Sequence, residues 1–268
     1  MKSVKELDVN GKKVFVRVDY NVPLDADLNI TDDNRIRATL DQVRYLVDQG
    51  ARIIMASHLG RPDGKPDPKF SLANVAKRLS ELLESPVLFE DDCVGESVNR
   101  AVEKLDKGQV LLLENLRFHS AEKKNEDAFS RRLAALCDVY VNNAFAVSHR
   151  DQASVTGIPK FVPEKAAGFL LEKEVQSYYD SVDNPKKPLV AVVGGAKVSS
   201  KLAALQNMLK RVDRLIIGGA MANTFLKSQG VDTQGSMIET DLLDTAAGIV
   251  DTAREKGIDL LLPTDLIC

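Results

Sequence analysis

Residues 52–62 read RIIMASHLGRP, and the change of character within this stretch decides the fold class. Arg52–Ser57 is a short β-branched apolar run of the length of a buried strand. It stops at Ser57-His58-Leu59-Gly60-Arg61-Pro62, which supplies two cationic side chains and a chain reversal. Ligands of open α/β sheets sit in the crevice beyond the carboxyl ends of the strands. Polar residues placed there are therefore functional candidates.

The same rhythm extends outward in both directions. Further strand-like runs are Val14–Asp19, Val87–Phe89, Val110–Leu113, Val139–Asn142, Leu189–Val193, Arg214–Ile217 and Leu260–Leu262. Between them Ile36, Leu40, Val43, Leu46 and Val47 keep helical spacing before Gly50, and Ser71 suits the N-cap of a helix carrying Val75, Leu79, Leu82 and Leu83. Alternating strand and helix patterns imply an α/β protein with parallel sheets and helices on both faces. The rhythm breaks at Gly157-Ile158-Pro159-Lys160-Phe161-Val162-Pro163, before a strongly helical stretch Glu164–Asp183 and then Asn184-Pro185-Lys186-Lys187-Pro188. The expected organisation is a first domain over 1–163, a connecting helix within 164–187, and the first part of a second domain over 188–268. Residues 263–268 read as a strand end or loop.

Bulk properties narrow the class of partner. The 268 residues carry 36 Lys+Arg against 39 Asp+Glu, a formal charge of -3, with 44% hydrophobic residues, as in globular proteins. There is no overall basic field for nucleic acid or an acidic membrane, so an anionic ligand must be met by local clusters. The start, MKSVKELDVNGKK, has no apolar signal core, and no run approaches the roughly 20 apolar residues that cross a bilayer. A cytoplasmic protein is expected. Cys93, Cys137 and Cys268 lack the spacing of a zinc site or disulfide frame and read as reduced thiols, with Cys137 in core packing.

Five polar segments fall at or after strand ends in the first domain: Arg17-Val18-Asp19-Tyr20-Asn21, Asn34-Arg35, His58-Leu59-Gly60-Arg61, Asn115-Leu116-Arg117-Phe118-His119 and His149-Arg150. The chain's three histidines all lie in them. Singly, a loop arginine is usually solvated and a loop histidine usually a satisfied hydrogen-bonding group. Jointly they converge, because parallel strands bring their carboxyl ends to one edge. Arginine suits such a crevice because its planar fork meets phosphate or carboxylate bidentately, while histidine adds a donor whose charge follows the ligand. The ligand implied is small and multiply anionic.

In the second domain Val192-Val193-Gly194-Gly195-Ala196-Lys197-Val198-Ser199-Ser200-Lys201 ends a strand in two glycines, places two lysines four apart and starts a helix with its positive end toward a ligand. Neither a Walker A loop nor a GxGxxG fingerprint is present, which disfavours a nucleotide-binding oxidoreductase. Ile217-Gly218-Gly219-Ala220 is a second such turn, and together the two suit the floor of a nucleotide pocket. One domain lined by Arg and His and another by Gly and Lys suggest a kinase that closes by hinge motion.

Several stretches, in order, resemble the motifs of the bacterial phosphoglycerate kinases: VFVRVDYNVPLD (Val14–Asp25), DDNRIRATL (Asp32–Leu40), SHLGRP (Ser57–Pro62), LLLENLRFHSAE (Leu111–Glu122), AGFLLEKEV (Ala167–Val175), VVGGAKVSSKLAALQNML (Val192–Leu209) and LIIGGAMANTFLKSQG (Leu215–Gly230). The resemblance implies two Rossmann-like domains joined by a hinge helix. It also implies transfer of a phosphoryl group from 1,3-bisphosphoglycerate to ADP, giving 3-phosphoglycerate and ATP, with Mg2+ and no covalent intermediate, in a cytoplasmic monomer. By match of motif, Asp19, Tyr20, Asn21, Arg35, His58, Leu59, Gly60, Arg61, Arg117 and Arg150 would hold the phosphoglycerate. Arg35 and Lys197 would be catalytic, and Gly194, Gly195, Lys197, Lys201, Gly218 and Gly219 would meet the nucleotide.

Two departures stand out. In the segment usually like NDAFGTAHRAHAS, Asn143 replaces the usual Asp, Ala146 the usual Gly, and the second His is absent, so altered tuning of that wall is expected. The family's Gly-Gly-Asp-Thr loop, whose Asp holds Mg2+, and its ribose-contacting Glu have no counterpart here. The metal ligand is expected beyond Cys268, the second domain reads as incomplete, and the 268-residue chain alone reads as an inactive fragment. A non-catalytic phosphoglycerate-binding module is the alternative.

Overall fold

The structure, a computed structural model, describes residues 1–265. Cys268, read above as a reduced thiol, and the loop reading at Leu266-Ile267 lie outside the described residues. The chain divides into two compact units, the first Met1–Val175 and the second from Gln176 on.

The first unit is built on a sheet of β1 (Lys13–Arg17), β2 (Arg52–Ala56), β3 (Val87–Glu90), β4 (Val110–Leu113), β5 (Val139–Asn142) and β6 (Glu164–Ala167) in the order β3-β4-β2-β1-β5-β6. Every pairing is parallel. A parallel sheet is covered on both faces, so residues of both parities along a strand must be apolar. Val14, Val16, Ile53 and Met55 enter one core while Phe15, Ile54 and Ala56 enter the other, all fully buried. The uninterrupted run RIIMA is thus a central strand. Helices Leu40–Asp48 and Ala73–Leu83 cover the first face through Val43, Leu46, Val75 and Leu79. Glu96–Glu103 and Asp127–Ala134 cover the second through Val98, Val102, Phe129 and Leu133. The connections from β1 and β5 leave in opposite directions, toward β2 and β6, which opens a crevice at the carboxyl edge.

Three local readings change. The helical spacing from Ile36 to Val47 is carried by two helices, Asn34–Arg37 and Leu40–Asp48. At the break the Thr39 hydroxyl donates to the Ile36 carbonyl at 2.8 Å and meets Tyr20 Oη at 2.7 Å. Ser71 is one residue too early to be the N-cap, which falls on Leu72; its hydroxyl accepts from Ala73 N at 3.2 Å and donates to Glu114 at 2.7 Å. The connecting helix does not begin at Glu164. Glu164–Ala167 lies in register with Val139–Asn142 as an edge strand, tied by Lys12 to Glu164 at 2.8 Å, and tertiary pairing overrides its helical propensity. Helix starts only at Phe169, where Gln42 Oε1 accepts from Phe169 N at 2.7 Å and Asn143 Oδ1 from Leu170 N at 2.8 Å. The α-helix ends at Tyr178, and Tyr179–Asp183 continues as a wider π turn.

The second unit holds β7 (Val190–Gly194), β8 (Arg214–Gly218) and β9 (Asp259–Leu261) as a parallel sheet in that order. Helices Leu202–Met208, Met221–Ser228 and Leu243–Glu255 pack Leu205, Met221, Phe225 and Ile249 against Val193, Leu215 and Ile217. Val192 is 74% exposed, so part of this sheet's apolar surface is uncovered. The architecture is α/β with two parallel sheets, the second of three strands.

Ile54 of β2 is fully buried in the second face's core, so Ile54→Ala should lower the unfolding free energy by roughly 2–5 kcal/mol. Leu88→Ala, on exposed surface of β3, should cost less than about 1 kcal/mol. Denaturant titration of both variants measures the difference.

Candidate active site

Loops past the carboxyl ends of the central strands enclose a cleft of ≈ 400 Å³. Asn21 comes from the loop after β1, and His58, Gly60 and Arg61 from the loop after β2. Arg117 and Lys123 follow β4, while Arg150 and Gln152 follow β5.

Backbone contacts explain how the loops hold this shape. Asn115 Nδ2 donates to the carbonyls of Leu59 at 2.7 Å and Phe70 at 2.9 Å, and its Oδ1 accepts from Arg117 N at 3.0 Å. Asn21 Oδ1 accepts from Gly60 N at 2.8 Å, and Arg117 Nη1 donates to Gly60 O at 2.7 Å. Gly60 has φ +61°, and a Cβ there would sit 2.3 Å from the Phe70 ring, so only glycine fits. Arg117 Nε is buried with no partner, and Arg117 keeps donors free for a ligand. Burial, then Arg150 and Arg17, push Arg117 down to about 10, which leaves it a cation at neutral pH.

Behind the cleft lies Arg17, with no exposed surface. Its Nε donates to Ser154 Oγ at 2.8 Å, its Nη1 to the Val18 carbonyl, and its Nη2 lies 3.2 Å from His58 Nδ1. Ser154 in turn donates to the buried Glu122 through its hydroxyl at 2.6 Å and its N–H at 2.9 Å. Burial, then Arg17, Arg117, Arg150 and Arg35, push His58 down to about 2. His58 is therefore a neutral hydrogen-bonding group at neutral pH.

The structure brings together Asn21, His58, Gly60, Arg61, Arg117 and Arg150. Asp19 and Arg35 stand beside them as an ion pair at 2.6 Å, with Asp19 Oδ1 3.8 Å from His58 Nδ1. Two residues face elsewhere: Tyr20 is buried against Thr39, and Leu59 is buried in the first core. Convergence of all three histidines fails. His119 bonds Asp92 at 2.6 Å and packs on Phe129, and His149 is exposed and does not line the cleft. Sequence reasoning missed Lys123, hidden in the charged run Glu122-Lys123-Lys124-Asn125-Glu126; Gln152, at the position of the absent second His, does line the cleft, although it was not named as a site residue. Asn143 caps the helix at Phe169 through its amide oxygen and does not line the cleft; Ala146 is exposed in a short turn.

In the second unit the two glycine turns abut. Gly194 pairs with Gly218 across β7 and β8, Met221 N donates to Gly195 O at 2.9 Å, and Gly219 has φ +67° with its would-be Cβ 3.0 Å from Gly195 N. Lys197 and Lys201 are exposed in the loop that follows. No helix starts at Lys197: Ser199 N and Oγ donate to Glu239 at 3.1 and 2.6 Å, and helix begins at Leu202.

One cluster among the described residues has metal-ligating groups close together, Asp92, Cys93 and His119. It does not suit Mg2+, a hard cation with oxygen ligands. The Cys93 thiol is buried, is pushed up by burial, and donates to Glu114 O at 2.9 Å. No helix among the described residues is long and apolar enough to cross a membrane.

An open parallel sheet with unneutralised cations at its carboxyl edge, followed by a second α/β unit with paired glycine turns, is the arrangement of a two-unit α/β protein suited to phosphate-bearing ligands. The sequence model of the family described as phosphoglycerate kinase matches residues 4–268. The chain is 61% identical over 267 residues to a phosphoglycerate kinase of Desulforapulum autotrophicum, covering 100% of this chain and 68% of that protein. It is 56% identical to one of Desulfosudis oleivorans, covering 67% of it. The structure of phosphoglycerate kinase from Coxiella burnetii superposes with a TM-score of 0.88 at 42% identity, over 99% of this chain and 66% of that one. That from Pyrococcus horikoshii gives 0.83 at 31% identity. The chain belongs to the phosphoglycerate kinase family and spans about two thirds of the length of these relatives. Similarity to kinases over its whole length favours a kinase over a binding module.

The depressed His58 makes a pH prediction. The unfolded chain protonates this ring below about pH 6.5 whereas the folded one does not, so its contribution to stability is present above 6.5 and lost as pH falls toward 2. Between pH 7.5 and pH 5 the wild type should lose about 2 kcal/mol more than His58→Gln. Denaturant titrations of both proteins at the two pH values test this.

Proposed function

We propose that the first unit binds 3-phosphoglycerate and 1,3-bisphosphoglycerate and that the second meets ADP and ATP, with the helical stretch Phe169–Asp183 as the connection between them. The observation that carries this reading is the cleft itself. His58, Arg61, Arg117, Lys123 and Arg150 converge on one space, and among the described residues ion pairs reach Lys123 but none of the three arginines. Such a site suits a compact polyanion, and bidentate arginines suit phosphate. Asp19, Asn21 and Arg35 complete the set at the rim.

In transfer, an ADP β-phosphate oxygen forms a bond to the phosphorus of the acyl phosphate while the carboxylate oxygen of 3-phosphoglycerate leaves with its electron pair. No covalent enzyme intermediate is needed. The requirement is in-line positioning and positive charge on the three equatorial oxygens, which Arg35 and Lys197 would supply. Gly194, Gly195, Gly218 and Gly219 would let backbone amides approach the nucleotide phosphates, with Lys201 beside them. Mg2+ enters with the nucleotide as part of that substrate. Closure of the units by hinge motion is the step that would bring the two ligands together and exclude water. A cytoplasmic monomer fits this reading.

Titration calorimetry with 3-phosphoglycerate is the direct test. The protein should bind it, Arg61→Ala should weaken binding about ten- to hundredfold, and added salt should weaken it further. Arg100→Ala, outside the cleft, should leave it unchanged. Absence of binding, or equal losses in the two variants, would count against the assignment.

A further inference from the structure

We propose that Glu122 and Ser154 are positioning residues which, acting through Arg17, hold the His58 ring with Nδ1 as an acceptor and leave Nε2–H as the donor offered to an anion in the cleft. The name of the anion rests on the function proposed above; the relay rests on geometry alone.

A guanidinium has five N–H donors and no lone pair. Arg17 Nη2 lies 3.2 Å from His58 Nδ1, so Nδ1 accepts, and a neutral imidazole whose Nδ1 accepts carries its proton on Nε2. Asp19 Oδ1 would favour the opposite tautomer, but at 3.8 Å it is beyond hydrogen-bond reach, and it accepts from Asn21 N at 3.2 Å. Arg17 therefore decides the tautomer.

What holds Arg17 follows by the same reasoning. Its Nε can only donate, so Ser154 Oγ accepts there at 2.8 Å and must spend its single proton elsewhere. That proton goes to Glu122 Oε1 at 2.6 Å, while Glu122 Oε2 accepts from Ser154 N at 2.9 Å. Arg17, Ser154 and Glu122 have no exposed surface. Every donor direction in the chain from Glu122 to His58 is thus determined. The consequence is chemical: the other tautomer would turn a lone pair toward a phosphate oxygen, and repulsion would replace a hydrogen bond.

The test is nitrogen NMR of the protein labelled with 15N in histidine, alongside titration of 3-phosphoglycerate. His58 should show a protonated Nε2 and an unprotonated Nδ1 without ligand. Ser154→Ala should mix the two tautomers and weaken binding about three- to tenfold, and Ser154→Thr, which keeps the hydroxyl, should restore both. If Ser154→Ala does not fold, Glu122→Gln provides the same comparison. A proton on Nδ1 in the wild type, or a wild-type tautomer in folded Ser154→Ala, overturns the relay. Phosphoglycerate binding with the proton on Nδ1 would contradict the relay alone. The expected tautomer without binding would support the relay and contradict the proposed function.

Discussion

A guanidinium with no access to water, at the carboxyl end of the central strand, sets the terms for the first unit. Arg17 pairs in register with Ala56 on one side and Asn142 on the other, at the point where the neighbouring strands end. A cation buried there must be hydrogen-bonded and compensated, because an unpaired one costs several kcal/mol. The loops after three strands supply what it needs: His58 after β2, Glu122 after β4 and Ser154 after β5. Satisfying one buried charge therefore brings the three loops together, and the cleft forms in front of them.

The electrostatics of that cleft follow from what Arg17 leaves outside. Burial, and after it the charge of Arg17, keep the His58 imidazole neutral, while Arg61, Arg117 and Arg150 stay free of carboxylates among the described residues. Like charges held this close repel, and an entering polyanion relieves the repulsion as it binds. The rim pair of Asp19 and Arg35 is different in kind, since Arg35 is exposed and its bond to Asp19 is readily exchanged for one to a ligand. Buried donors at the floor and an exposed cation at the rim suit a group that must be held at one end and transferred at the other.

Much of this was legible before the structure. Parallel strands announce themselves because both faces are buried, which makes runs such as Val110–Leu113 apolar throughout. The arginines of the cleft were legible because parallel strands end at one edge. The rest depended on tertiary partners. Glu164–Ala167 has a helical composition, and pairing with β5 makes it a strand. The loop after Lys197 takes its course from Glu239, forty residues on. His119 and His149 share the sequence signature of His58, yet one is claimed by Asp92 and the other by solvent. Arg17 lay in plain view within VFVRVDYNVPLD, but nothing in the pattern says that it is buried.

The central claim is that the cleft built around Arg17 is the seat of the phosphoglycerate. A crystal structure of the protein with 3-phosphoglycerate tests it most directly. The account predicts the phosphate within hydrogen-bond distance of Arg61, Arg117, Arg150 and His58 Nε2, with the Arg17 network unmoved. Ligand bound at the glycine turns of the second unit, or in the first unit with His58 turned away, would contradict it.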